Sequence, residues 1–235
     1  MIRAFLLSTL LTSPALAEEC ARSQVDAEIS LVADVSTSMD VRERGVQRTG
    51  YAAAFRDPSV LHAIMDGYCG AIAVNLIEFG TEPHVVVDWH IIATDEDAET
   101  FARAIEAAKP TNDRIGTTGL AKAIEFAAKS ILENNLSGER LVVDASSDGP
   151  DNVTSNVSDV RDKYTQPTAE NNWTEIVING LPILGGLTPH GMNAEEFQEY
   201  FFRNVIGGPG CFLEAARDAD DIARAFRKKL IAEIG

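Results

Sequence analysis

The stretch that decides the fold is Ile29-Ser30-Leu31-Val32-Ala33-Asp34-Val35-Ser36-Thr37-Ser38-Met39-Asp40. Its first half, Ile29 to Ala33, has the length and branching of a buried strand. The strand stops at an acid, two hydroxyls follow at alternate positions, and Val41 to Phe55 then take up a helical pattern with Val41, Tyr51 and Phe55 among its apolar positions. A strand that passes through a short polar loop into a helix opens a βαβ unit. By itself the Asp-x-Ser-x-Ser loop reads in two ways, as an ordinary capped turn or as a set of oxygen ligands for a metal.

Working outward, the same alternation continues. Asp57-Pro58 is a cap with proline in the first turn of a short helix through Ile64. Ala71 to Phe79 and Val85 to Ile91 are strands whose Gly80-Thr81-Glu82-Pro83 link is too short to cross over, so they form an antiparallel hairpin. Thr94, with Asp97 in place of the usual Glu of a capping box, opens a helix striped by Phe101 and Ile105. Leu120, Ile124, Ala127, Ala128 and Ile131 stripe the next. Leu141 to Val143 and Ile176 to Ile178 are strands, Cys211 to Leu213 a short edge strand, and Ile222, Ala225, Phe226 and Ile231 the inner face of a last helix. Asp159 to Asn172 reads as a frayed helix and polar loop interrupted by Pro167, and Gly185 to Gly191 as a loop. The fold class is α/β: a doubly wound, mostly parallel central sheet with one antiparallel strand and helices on both faces, in a single domain without repeats.

The ends and the charge narrow the setting. Arg3, an apolar run and Ala15-Leu16-Ala17 have the form of a secretory signal peptide over residues 1–17, with the domain in 18–235 and a periplasmic or secreted location. No later segment offers a membrane span. Glu18 and Glu19 argue against a lipid anchor on Cys20. Removing Arg3 with the leader leaves 19 basic against 36 acidic residues, a net of −17, a surface that repels nucleic acid and attracts cations. Three cysteines, Cys20, Cys69 and Cys211, permit one disulfide and exclude a cysteine-rich zinc site, and His62, His84, His90 and His190 lack paired ligand spacing.

Two further loops are rich in oxygen ligands: Asp144-Ala145-Ser146-Ser147-Asp148-Gly149-Pro150-Asp151-Asn152 after a strand, and Ile115-Gly116-Thr117-Thr118-Gly119 before a helix. Loops at the carboxyl ends of strands are where open α/β sheets bind ligands. Three such loops converging on one edge suit an octahedral magnesium or manganese site. Asp144 lies too early, within the strand, and reads as a buried or sheet-edge acid, while Asp40 and Asp151 read either as residues that shape the surroundings of the ligands or, the favoured reading, as solvated surface residues.

In these motifs the chain resembles the von Willebrand factor type A-like domains with their metal-ion-dependent adhesion site. The signature is intact as Asp34-Val35-Ser36-Thr37-Ser38, with the separate threonine at Thr118 and the later aspartate at Asp148. Within that superfamily it is similar to an uncharacterised group of exported bacterial proteins, through Asp148 to Asn152, Ile178 to Ile183, Val205 to Gly210 and Arg227 to Leu230. The family threonine commonly follows two glycines, whereas here Thr117 and Thr118 follow Gly116, so Thr117 stays an alternative ligand. The resemblance implies that Ser36, Ser38 and Thr118 offer hydroxyls to Mg2+ or Mn2+, that Asp34 and Asp148 act through water and hydrogen bonds, and that an Asp or Glu of a protein partner completes the shell.

The function expected is a non-enzymatic, divalent-cation-dependent binding module. The alternatives are a metal-dependent hydrolase of phosphate or ester bonds and a structural domain with a vestigial site; no Gly-x-Ser-x-Gly elbow or phosphate-cradling loop supports the hydrolase. The superfamily's strand order also implies that Cys69 and a strand at Cys211 lie too far apart to bridge; Cys20 could reach either, with Cys20–Cys69 the favoured pair and three free thiols the alternative.

Overall fold

The computed structural model describes residues 20–21, 23–109, 117–154, 156–169, 174–185 and 191–235. The expected leader, Gly116, Asn172 and most of the Gly185 to Gly191 loop lie outside them. The order of elements is β1 (Gln24–Asp34), α1 (Val41–Phe55), α2 (Pro58–Met65), β2 (Ile72–Phe79), β3 (Pro83–Ile92), α3 (Asp95–Ala107), α4 (Leu120–Glu133), β4 (Ser137–Ser147), α5 (Val157–Thr165), β5 (Val177–Pro182), α6 (Ala194–Tyr200) and α7 (Ile222–Ile234). A π-helical turn, Phe201–Val205, continues α6.

The sheet runs β3-β2-β1-β4-β5. Only β3 is antiparallel, paired to β2 as the short link requires, and the other pairs are parallel. One core packs α1, α2, α3 and α7 on the face formed by Ala27, Ile29, Leu31 and Ala33 of β1. The other packs α4, α5 and α6 on the face that carries Val32, Ile77 and Val143. The alternation along β1 thus sends Ala27, Ile29, Leu31 and Ala33 to one layer and leaves Glu28, Ser30 and Val32 on the other.

β1 begins well before the expected Ile29 because its early polar residues are satisfied internally. Asp26 accepts hydrogen bonds from Cys69 N at 2.8 Å and Ala71 N at 3.1 Å. Glu28 accepts from Gly138 N and Asn134 Nδ2, each at 2.7 Å. These bonds let acids occupy a buried strand. Cys20 is joined to Cys69, with Cα atoms 5.6 Å apart, as expected, and Cys211 is a free thiol.

Two expectations are corrected. Cys211 to Leu213 is not a strand: its one ladder pairing with β5 is an isolated bridge, Leu213 to Gly180. Gly208 and Gly210, at φ 88° and 70°, curl the chain around Pro209 and prevent an extended run. The helix expected from Asp159 starts earlier, at Val157, and ends at Thr165, two residues short of Pro167, where the expected loop follows. At α3, the shorter Asp97 cannot reach back to Thr94 N as Glu would. It accepts instead from Thr94 Oγ1 at 2.7 Å and Ala93 N at 3.2 Å, while Thr94 Oγ1 accepts from Asp97 N.

Asp57 couples two helices. It caps α2 by accepting from Ser59 N at 2.9 Å, and its other oxygen accepts from Arg227 Nη1 of α7 at 2.9 Å. The Ser59 hydroxyl and Arg227 hold its carboxyl down at about 2, against an ordinary 3.8. A depressed acid stabilises the fold above its unfolded value, and that stabilisation is lost as pH falls through the folded value. Asp57→Ala should therefore cost about 1–2 kcal/mol at neutral pH, and the gap should close as pH falls below the unfolded value toward the folded one. Denaturant unfolding across that range checks this; a gap independent of pH would contradict it.

Candidate metal centre

Asp34 is the last residue of β1 and is fully buried. Its Oδ1 accepts from Ser36 N at 2.8 Å and its Oδ2 from Ser147 Oγ at 2.5 Å. The turn after β1 is thereby tied to the end of β4. Buried Val35 and Met39 anchor the loop, while Thr37 and Ser38 are exposed. Asp40, exposed as expected, closes the loop as the N-cap of α1: it accepts from Glu43 N at 2.8 Å, and Glu43 Oε2 accepts from Asp40 N at 2.8 Å.

Ser36 Oγ lies 3.0 Å from Ser38 Oγ, Thr118 Oγ1 donates to Ser36 Oγ at 3.3 Å, and Ser38 Oγ donates to Asp148 Oδ1 at 2.7 Å. Asp34, Ser36, Ser38, Thr118 and Asp148 are thus brought together in one cluster. It rises from fully buried Asp34 to exposed Ser38, so it opens on the protein surface.

Thr118 owes its place to two neighbours. Gly119 N donates to Gly80 O at 2.7 Å, and a Cβ on Gly119 would meet Thr81 O at 2.5 Å, so only glycine permits this approach to the hairpin link. Asn152 pairs with the Thr118 backbone, accepting from Thr118 N at 2.8 Å and donating its own N–H to Thr118 O at 3.0 Å. Thr117 turns the other way, with Oγ1 2.5 Å from Thr81 Oγ1. Thr118, and not Thr117, thus has its hydroxyl at the cluster.

Asp151, read either as part of the surroundings of the ligands or as solvated, escaped notice as a staple between two loops. It is half-buried, and its Oδ2 accepts from Ala121 N at 2.9 Å in the first turn of α4 while Oδ1 accepts from Val153 N at 3.1 Å and Thr154 N at 2.6 Å. With Asn152 it staples the loop after β4 to the loop before α4. Ser147, which orients Asp34, also escaped notice. Its signal was its place beside Asp148 in a Ser-Asp-Gly turn. Asp144, in the middle of β4, is buried and faces α7, away from the cluster, where Lys229 Nζ lies 2.7 Å from its Oδ1.

Burial raises the Asp34 carboxyl, opposed by its Ser147 and Ser36 hydrogen bonds. Burial first, then the charge of Asp34, push Asp148 up to about 7, against the Ser38 hydrogen bond. The charge of Asp34 thus disfavours ionisation of Asp148. A cation among them would lift that penalty, and a donor set of three hydroxyls and two carboxylates is the hard-oxygen chemistry of Mg2+ or Mn2+. Among the described residues no group of three or more His, Cys, Asp or Glu is placed to hold a metal, so binding here would depend on the hydroxyls.

A sequence profile described as "Protein of unknown function (DUF1194)" matches residues 24–235. No curated protein matches the chain in sequence. Among solved structures, the pilus adhesin SpaC of Lactobacillus rhamnosus GG superposes with a TM-score of 0.60 at 14% identity, over 89% of this chain and 30% of the adhesin. Proximal thread matrix protein 1 of the mussel byssus, with a zinc-occupied MIDAS motif, gives 0.57 at 14% identity, over 88% of this chain and 48% of that one. An aerotolerance-related membrane protein of Bacteroides fragilis NCTC 9343, carrying multiple mutations to serines, gives 0.51 at 18% identity, over 88% and 98%. The chain thus spans less than half of the first two. At these identities the likeness is one of fold.

Without metal, the two site carboxylates repel. Asp148→Asn should raise the melting temperature measured in chelator by on the order of 2–4 °C, the shift expected for relief of about 1 kcal/mol, while weakening cation binding. A lower melting temperature in chelator would show that the charge of Asp148 supports the apo fold.

Proposed function

The chain belongs to the DUF1194 family of proteins of unknown function, and from its site we propose an exported, non-enzymatic binding module that recognises a protein through a divalent cation. In this reading residues 1–17 are a signal peptide, and residues 18–235 are a von Willebrand factor type A-like domain of the periplasm or cell exterior. The observation that carries it is the meeting of Asp34, Ser36, Ser38, Thr118 and Asp148, from three separate segments, in one hydrogen-bonded cluster that reaches the surface.

Ser36, Ser38 and Thr118 would hold Mg2+ or Mn2+ through their hydroxyl oxygens, with Asp34 and Asp148 orienting those hydroxyls and bound water. The cation supplies positive charge at a surface of otherwise acidic character. Neutral donors leave that charge under-satisfied, so an Asp or Glu side chain of a partner completes it. Val41, next to the capping Asp40, is 76% exposed and offers an apolar contact beside the site.

Calorimetric titration with Mg2+ should show one site in the parent protein. Ser36→Ala removes one donor without burying a charge, so the fold should persist while affinity falls on the order of tenfold or more. Capture of an envelope protein should depend on Mg2+ and fail with the variant. Equal titration of parent and variant, or no binding by a folded parent, would reject the reading. Mg2+-dependent turnover of a generic phosphoester would favour a hydrolase instead.

A further inference from the structure

Away from the metal centre, four polar side chains share a dry space between the sheet and the last helix. Asp144 of β4, Asn179 of β5, and Lys229 and Glu233 of α7 are each no more than 3% exposed. Lys229 Nζ lies 2.7 Å from Asp144 Oδ1 and also donates to Glu233 Oε1, one helical turn further on. Asn179 Nδ2 donates to the same Glu233 oxygen at 2.9 Å, and its Oδ1 accepts from Phe212 N at 3.0 Å. The Phe212 ring centre is 5.8 Å from Nζ. Asp144 Oδ2 and Glu233 Oε2 are buried with no hydrogen-bond partner among the described residues.

As an ion cluster this arrangement is poorly compensated. Two acids face one ammonium, two of their oxygens lack donors, and each buried ion carries a desolvation penalty of several kcal/mol. Burial, then the charge of Asp144, push Glu233 up to about 7 against Lys229 and Asn179, so near neutral pH much of it is the uncharged acid. Tyr51 is raised further still, by burial first and then by the charge of Asp144, and stays neutral. A nucleophile, an acyl carbon and a carboxylic acid able to move protons are thus held together where water is excluded.

We propose that Lys229 Nζ and Asp144 Cγ join in an intramolecular amide, with Glu233 as the catalytic residue. Proton transfer within the ion pair leaves Nζ as a free amine and Asp144 as a carboxylic acid, two neutral groups in place of two charges. The amine lone pair forms the Nζ–Cγ bond, Glu233 Oε1 takes a proton from Nζ, and the proton on Oε2 goes to the departing hydroxyl as a Cγ–O bond breaks. An ammonium and a carboxylate become an amide and one water, Glu233 ends as it began, and no oxidant or cofactor enters. Proximity supplies the drive, since Cγ is one bond beyond an oxygen already at 2.7 Å. Asn179 is not the acyl donor: its amide is engaged with Glu233 and Phe212 and serves as a positioning residue for Glu233. The product would fasten α7 covalently to β4 and replace the buried ions with a neutral group.

Intact mass spectrometry of the purified chain after reduction decides this without any variant. The expected result is a deficit of about 18 Da from the sequence mass, with a branched tryptic peptide joining Lys229 to Asp144. Glu233→Gln keeps the shape but cannot relay the proton, and should show the full mass with both side chains unlinked; Lys229→Met should show the full mass as well. A parent at full mass would overturn the proposal. So would a deficit that persists in Lys229→Met, or one of about 17 Da that maps to Asn179, the loss of ammonia rather than water.

Discussion

The structure depends on a carboxylate buried at the end of its central strand. β1 has parallel neighbours on both sides, and its ladder continues one residue past Asp34, where Val35 N donates to Phe79 O at 2.8 Å. Asp34 therefore sits where chain leaves the sheet, with no exposure to water. A buried acid at such a point must be surrounded by donors. Ser36 N comes from the turn that follows and Ser147 Oγ from the neighbouring strand. Satisfying one acid thus sets the path of the first loop and its distance from the second.

The remaining pieces are placed by backbone hydrogen bonds rather than by cluster side chains. Asp151 and Asn152 staple the loop after β4 to the start of α4, and Tyr200 Oη accepts from Asp151 N at 3.0 Å, tying both to α6. Gly119 fits against the hairpin link, which sets the hydroxyl of Thr118 toward Ser36. The hydroxyls are held by elements that do not themselves need a ligand. Such preorganisation is what the proposed cation site would need.

Much of this was legible in the sequence, for local reasons. α1 has the bounds expected, since Asp40 and the apolar spacing mark them, and the hairpin follows from a link too short to cross over. Asp34, Ser36 and Ser38 could be named because alternate positions on a strand-to-helix loop reach one side of it. What failed depended on distant partners. The early half of β1 looked too polar until Asp26 and Glu28 found donors across the fold. Thr117 and Thr118 could not be told apart without Thr81, and Asp151 looked solvated because its partner at Ala121 is far away in sequence. α6 went unrecognised although Asn193 and Glu196 form a capping box, because seven residues are too few for a periodic signal.

The central claim is that these oxygens form a cation site, and a Mn2+-soaked crystal of the whole chain tests it most directly through the anomalous signal of the metal. The account predicts one strong peak at bonding distance from the hydroxyls of Ser36, Ser38 and Thr118, with Asp34 and Asp148 around it. A peak elsewhere with this cluster empty, or no peak in a crystal where the cluster is open to solvent, would contradict it.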